Sequence, residues 1–488
     1  MSGARAVASV TLSVRSGPSE GRKFSFEERA TCVVGRASDC SPRLPQDDMR
    51  VSRHHCLFDI NPPDVRVRDF GSLNGTFVNG EEIGRREPDE TPEQAARVEF
   101  PERDLAHGDE VRMGETLLRV EIAAEAAAGE PVTTRAYCAH CGRDVEPADR
   151  DRADRADRGR AGDIVCDPCR NSPRTIVRGL LSRAAEDDGL AGLRDYELVR
   201  ELGRGGQGVV HLARHLGTGE LVALKVLLAE IAVGHRARAN FLREIEGIRG
   251  LRHRNIVGFH DSGSHGASFY LACEYCGGGD LGQWLAARGG TLPPDEAVAI
   301  ASQVLDGLAH AHTAPLPRPH PSAPPAPSAE GGGAGSVRGL VHRDIKPSNI
   351  LLTADGTPPT VKISDFGLAK AFDRAGLSGL TRTGTVAGTV AYMPRTQVVD
   401  YKYAKPEVDV WATAATLYRM LTGATPRDFP PTVDPLAVLL REPAVPIRDR
   451  SPSVPRRLAR VIDEALIDSP RIVTTTADSF RKALEEAV

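Results

Sequence analysis

Val341-His342-Arg343-Asp344-Ile345-Lys346-Pro347-Ser348-Asn349-Ile350-Leu351-Leu352, with Lys362-Ile363-Ser364-Asp365-Phe366-Gly367 shortly after it, decides how this chain is read. The acidic, basic and amide side chains fall at offsets that chance does not produce. Upstream, an apparent strand ends at Leu202 and runs into Gly203-Arg204-Gly205-Gly206-Gln207-Gly208-Val209-Val210. Missing side chains there let backbone N–H groups approach phosphate oxygens closely. A tight hairpin explains the same glycines equally well when the run is read alone. Val222-Ala223-Leu224-Lys225 reads as a strand carrying an ammonium toward α/β-phosphates, and Glu244, 19 residues later on an amphipathic segment, is spaced to orient it.

Together these motifs resemble the eukaryotic-like (Hanks-type) protein kinases over residues 196–484. The resemblance implies a bilobal α+β protein-kinase fold that uses ATP and Mg2+ (or Mn2+). It also implies that Asp344 accepts the substrate hydroxyl proton, that Asn349 and Asp365 hold the metal, and that Lys225 clamps phosphates through Glu244. Gly203, Gly205, Gly208, Val210 and Ala223 then surround the nucleotide, and Cys273-Glu274-Tyr275-Cys276 lies against adenine with Glu274 in the hinge. Asp344-x-Lys346-Pro347-x-Asn349 is similar to the serine/threonine version of this loop, which implies transfer to Ser/Thr hydroxyls of proteins, with Thr389 bridging Asp344 and Lys346. Asp409-Val410-Trp411 resembles the helix whose aspartate braces that loop. Such division of labour suits a loose transition state, in which metal and cations spread over phosphate charge and positioning supplies most of the acceleration.

Two departures from the family stand out. Pro394-Arg395-Thr396 replaces the usual Ala-Pro-Glu, and Val473 falls where the partner arginine of that glutamate is expected. Losing both members of a buried ion pair does less harm than losing one, which costs about 3–5 kcal/mol. The second departure is the Pro/Gly/Ser-rich run 314–337, an expected disordered excursion ahead of the catalytic loop. Between Asp365 and Thr396, Thr381, Thr383 and Thr385 are candidate phosphosites. The resemblance implies autophosphorylation there, pairing with Arg343, and self-association through the mark.

Toward the N-terminus, Val33-Val34-Gly35-Arg36, Val51-Ser52-Arg53-His54-His55 and Asp69-Phe70-Gly71-Ser72-Leu73-Asn74-Gly75-Thr76 occur among short alternating strands. Read singly, each is a turn. In order, they resemble a forkhead-associated (FHA) domain, an all-β sandwich over residues 7–122. By that resemblance Arg36 and Ser52 contact the phosphate of phosphothreonine proteins, Arg53 and Asn74 hold the peptide, and His55 braces the loop from inside.

Between these regions, Cys138-Ala139-His140-Cys141 and Cys166-Asp167-Pro168-Cys169 are two C-x2-C pairs separated by 24 residues. Four thiolates at this spacing close a tetrahedral shell, so residues 135–171 read as a small zinc-knuckle module with structural Zn2+, ahead of a linker at 172–195. Redox chemistry is the alternative, without a surrounding βαβ pattern to favour it. The chain is thus multidomain, as 488 residues allow. With 62 Lys and Arg against 66 Asp and Glu, the charge balance advertises no nucleic acid. No apolar run spans a membrane and no signal peptide is evident, so a cytoplasmic protein is expected. Two other readings remain beside catalysis, phosphopeptide capture as the main output and nucleic-acid contact by the knuckles. Elemental analysis is expected to find one zinc per chain, removed by chelation with unfolding of 135–171 alone; far less than one zinc overturns the assignment.

Overall fold

The computed structural model describes residues 9–123 and 193–488, except 28–29, 38–39, 41, 47, 88, 91–99, 206–207, 229–244, 246–247, 266–267, 315–338, 355–358, 367–388, 400–403 and 431–432. Cys138, Cys141, Cys166, Cys169, Glu244, Thr381, Thr383 and Thr385 therefore lie outside the described residues.

Ten strands build the N-terminal unit: β1 Ser9–Ser16, β2 Lys23–Phe26, β3 Ala30–Val34, β4 Cys56–Asn61, β5 Asp64–Asp69, β6 Thr76–Val78, β7 Glu81–Gly84, β8 Arg103–Asp104, β9 Glu110–Met113 and β10 Thr116–Ala123. They form an antiparallel sheet β2-β1-β10-β9-β6-β7 and a second sheet β3-β4-β5-β8. Period-two alternation in β9, with Val111 and Met113 buried, sends one face inward. Val10, Leu12, Leu118 and Val120 of one sheet meet Cys32, Phe58, Ile60 and Val67 of the other in a shared core. Asn79 (φ 52°) and Gly80 (φ 88°) form the two-residue turn between β6 and β7, where both central residues need left-handed backbone.

In the C-terminal unit, β11 Tyr196–Gly205, β12 Gly208–His215, β13 Leu221–Leu228, β14 Phe259–His265 and β15 Ser268–Glu274 form the antiparallel sheet β11-β12-β13-β15-β14. A helical lobe follows: α1 Leu281–Ala287, α2 Pro294–Thr313, α3 Arg395–Val399, α4 Glu407–Thr422, α5 Pro435–Arg441, α6 Ile447–Arg450, α7 Arg456–Ala465 and α8 Ala477–Glu485, with the short ladder β16 Ile350–Leu352 and β17 Val361–Ile363. α2 starts with Pro294, whose missing N–H costs nothing in a first turn, and buries Ala297, Ala301, Val304, Leu305 and Leu308 at helical spacing. Every residue of α4 from Val408 to Leu421 except Arg419 is buried, which makes it the central post of the lobe. α2 ends where the 314–337 run begins. Leu340 N–H donates to Ala311 O at 2.8 Å, and a Cβ on Gly339 would lie 1.7 Å from His312 O. The described residues on either side of that run thus lie side by side.

The two units pack together through the sheet β3-β4-β5-β8. Ala30, Cys32 and Val34 face the sandwich core, whereas Val33 and Leu57 face outward against Val390, Met393, Val398, Leu436 and Leu440 of the helical lobe. Arg68 and Asp434, both nearly buried, form an ion pair at 2.5 Å across this contact. Arg441 donates to Phe70 O at 3.0 Å and stacks over the Phe70 ring. Arg68→Met strands the Asp434 carboxylate without its guanidinium. Urea unfolding of the full chain is expected to register a loss of about 3–5 kcal/mol; a loss below about 1 kcal/mol would reduce the pair to surface value.

Candidate functional site

β13 is central in its sheet, with Lys225 opposite Val210 of β12 and Leu271 of β15. Gly203 pairs with Val210 and Gly205 with Gly208, so the glycine run is a hairpin over the strand next to Lys225. The hairpin reading of these glycines is the one the strand pairing bears out. Lys225 Nζ lies 2.8 Å from Asp365 Oδ2. Burial alone would raise the Asp365 carboxyl, yet the adjacent ammonium outweighs it and holds the group below its ordinary value.

Around Asp344, two described side chains converge, and Thr389 joins through one of them. Lys346 Nζ lies 2.9 Å from Asp344 Oδ2 and donates to Thr389 Oγ1 at 2.9 Å. Asn349 Nδ2 donates to Asp344 O at 2.8 Å and to Asp344 Oδ2 at 3.0 Å. With both amide bonds directed to Asp344, the Asn349 carbonyl oxygen is the atom left for a hard cation, and Asp365 supplies a carboxylate. That donor chemistry fits Mg2+ or Mn2+ completed by phosphate oxygens and water. Among the described residues no group of three or more His, Cys, Asp or Glu converges as a further metal cluster.

Asp409 sits at the base of the site on α4, with no solvent exposure. Its carboxylate accepts from the backbone N–H groups of His342 and Arg343, both at 2.7 Å, and from His312 Nε2 at 2.8 Å. Burial would raise its pKa; the bond and charge of His312 reverse that and lower it. These bonds hold Arg343 at φ 69°, a left-handed backbone that residues other than glycine rarely adopt. His342 spends its ring on Ser364 O at 2.7 Å and on the edge of Phe366, tying the two polar segments together.

Glu274 ends β15, and its carboxylate accepts from Gly258 N–H at 3.0 Å and pairs with Lys362 at 3.0 Å, so the side chain is committed within the protein. Burial pushes the Cys273 thiol up to about 12 and the Cys276 thiol up to about 11, which disfavours the thiolates a metal or redox role would need.

Three contributors were not assigned from sequence. Asp468 accepts from Arg395 N–H at 2.7 Å and from the buried Arg427 at 2.7 Å, with Arg427 stacked on Trp411. This link joins the end of the activation segment to the C-terminal helices without the usual glutamate, and Val473 stands 48% exposed. Gln397 donates to Arg343 O at 2.7 Å, fastening α3 to the catalytic loop. Asp69 accepts from Ser72 N–H, Ser72 Oγ and Thr76 Oγ1 and shapes the loop that carries Asn74. Only Asp69, embedded in a quoted motif, left a readable signal.

At one end of the sandwich, Arg36, Ser52, Arg53 and Asn74 line a common cleft. Gly35 is required there, since a Cβ would lie 2.1 Å from Arg53 O. Arg36 Nε donates to Val51 O at 2.9 Å, Leu73 N–H donates to Ser52 Oγ at 3.1 Å, and Asn74 Nδ2 donates to Arg50 O at 2.8 Å. His55 is fully buried beneath them. Ser52 N–H donates to its Nδ1 at 3.0 Å, so Nε2 carries the hydrogen that Gly75 O accepts at 3.1 Å. Burial, opposed by Asp69, keeps this imidazole below its ordinary value and neutral.

The protein kinase domain family matches residues 196–316 and 337–442, and the FHA domain family matches residues 32–114. Serine/threonine-protein kinase PknJ of Mycobacterium tuberculosis is 32% identical over 296 residues, which is 60% of this chain and 45% of that protein. Serine/threonine-protein kinase Pkn1 of Myxococcus xanthus is 32% identical over 304 residues, 62% of this chain and 40% of that protein. The chain therefore spans less than half the length of these relatives. The crystal structure of the Mycobacterium tuberculosis PknI kinase domain matches with 26% identity and a TM-score of 0.43 over 60% of this chain and 96% of that one. Rad53 in complex with AMP-PNP matches with 22% identity and a TM-score of 0.44 over 98% of both chains. The chain thus carries a region that matches the protein kinase domain family behind one that matches the FHA domain family.

A neutral folded-state His55 contributes stability that is complete above the unfolded histidine value of about 6.5 and is lost as pH falls toward the lowered folded value. The unfolding midpoint of the full chain is expected to fall from pH 7 to pH 5 more steeply in the parent than in His55→Asn. Equal slopes would remove His55 from this role.

Proposed function

We propose that the chain is an ATP- and Mg2+-dependent serine/threonine protein kinase whose FHA domain reads phosphothreonine in partner proteins. The observation that carries this reading is the convergence of Lys346 and Asn349 on Asp344, with Thr389 held by Lys346, beside the Lys225–Asp365 pair. In this mechanism Asp344 accepts the proton of the substrate hydroxyl as its oxygen bonds to the γ-phosphorus and the bond to ADP breaks. Lys346, held between Asp344 and Thr389, fixes that carboxylate and the facing hydroxyl. Lys225 steadies phosphates with Glu244, and Asn349 with Asp365 offers oxygens to Mg2+ or Mn2+, which neutralises phosphate charge. Adenine is read by the backbone at Glu274, under Gly203, Gly205, Gly208 and Val210. Arg36, Ser52, Arg53 and Asn74 take the phosphothreonine peptide.

The same reading includes structural zinc on Cys138, Cys141, Cys166 and Cys169. It also includes autophosphorylation at Thr381, Thr383 or Thr385 that creates a mark for the FHA domain in cis or on another copy. Among the described residues no helix is long and apolar enough to cross a membrane.

Asp365→Ala and Lys225→Met are each expected to lower phosphate transfer to a generic protein substrate by about 10²-fold or more. Circular dichroism should stay at the parent signal. Retained turnover in either variant overturns the catalytic assignment and leaves phosphopeptide capture as the main output.

A further inference from the structure

The FHA peptide loops do not open to free solvent on all sides. A cleft of about 1250 Å³ has Arg36, Ser52, Arg53 and Asn74 on one wall, and Arg395, Lys405 and Arg441 of the helical lobe on the other. Its lining carries six lysine or arginine side chains and two carboxylates, Glu407 and Asp468. Asp468 is already committed to Arg427 and to Arg395 N–H. The remaining balance is strongly cationic.

Two further observations point to a ligand. The Nε atoms of Arg86 and Arg395, both on the cleft lining, are buried without a hydrogen-bond partner. Buried donors of that kind ordinarily find acceptors. Lys405, by contrast, is an exposed lining residue just ahead of α4. The opposing walls are held in place by the buried Arg68–Asp434 pair and the apolar contact around Leu57 and Leu440.

We infer that the kinase lobe completes the phosphopeptide site: a phosphothreonine peptide with acidic flanking residues binds across the cleft, its phosphate on the FHA loops and its flanking carboxylates on Arg395 and Lys405. This rests on the phosphothreonine reading of the FHA loops and adds the second wall. A dianion alone satisfies Arg36 and Ser52. Flanking carboxylates extend the complementarity to cations that the sandwich itself does not own, which sets peptide preference and salt sensitivity. The site thereby exists only in the docked chain.

Fluorescence anisotropy with the full-length chain tests this, using one labelled phosphothreonine peptide flanked by aspartates, one flanked by lysines, and the unphosphorylated control. Lys405→Glu and Arg395→Gln, neither of which removes a backbone contact, are expected to weaken the aspartate-flanked peptide roughly five- to tenfold each. Lys405→Glu is also expected to shift preference toward the lysine-flanked peptide, and added salt to shrink the parent's preference. If both variants bind the aspartate-flanked peptide as the parent does while Arg36→Ala abolishes binding, the composite site is overturned and the FHA reading stands. If Arg36→Ala binds as the parent, or the unphosphorylated control binds equally, the phosphothreonine reading itself falls, and the composite site with it.

Discussion

A carboxylate removed from water must find hydrogen bonds, and Asp409 finds them in the catalytic loop. It projects from α4, a helix buried nearly all round, and accepts from His342 N–H, Arg343 N–H and His312. A buried charge without partners costs several kcal/mol, so the loop and the helix stabilise each other's placement. The strained backbone of Arg343 follows from this constraint, since both N–H groups must point back at one carboxylate. From that fixed point the loop runs on to Asp344, Lys346 and Asn349, and His342 carries the order across to Ser364 and Phe366. Asp344, Lys346 and Asn349 are thus positioned from behind by a residue outside their own cluster.

The same lobe anchors the sandwich. A sheet that covers one core normally leaves its other face to water, but the second face of β3, β4 and β5 places Val33 and Leu57 against α3 and α5 and pairs Arg68 with Asp434. Ala30 to Val34 are consequently all buried. α3 is also the segment that Gln397 ties to Arg343 O, so the surface against which the FHA domain packs is continuous with the catalytic loop. Any force on the peptide cleft is applied to an element one hydrogen bond away from the loop of Asp344.

Loss of the family's glutamate at Thr396 is absorbed by a different solution to the same problem. Asp468 supplies the buried negative charge, Arg427 the positive one, and the Arg395 backbone takes the place of a side chain. Both charges are nearly inaccessible, and Glu442 O accepts a further bond from Arg427. Satisfying the charges completely is what makes the exchange tolerable.

The class of fold and the chemistry of the site were legible in the residues because motifs encode local geometry. Glycines in the β11–β12 hairpin, the Asp-Lys-Asn offsets of one loop, and the Asn79-Gly80 turn act within a few residues of themselves. Lys346, Thr389 and Asp344, separated by up to 45 residues, could be joined only through family resemblance. Other relations carry no local signature. Asp468 with Arg427, Gln397 with Arg343, and Arg68 with Asp434, 366 residues apart, are decided by which surfaces meet once each unit has folded. Nor does an alternating strand announce that its second face is covered, since Val33 and Leu57 read as ordinary strand residues until α3 and α5 lie against them. The sequence by itself determined the two domain types and the reactive groups, since those depend on short-range backbone geometry and residue chemistry. Only the tertiary structure decided that the loops of Arg36, Ser52 and Asn74 face the helical lobe, because that placement depends on long-range burial of apolar area and charge that no single segment contains.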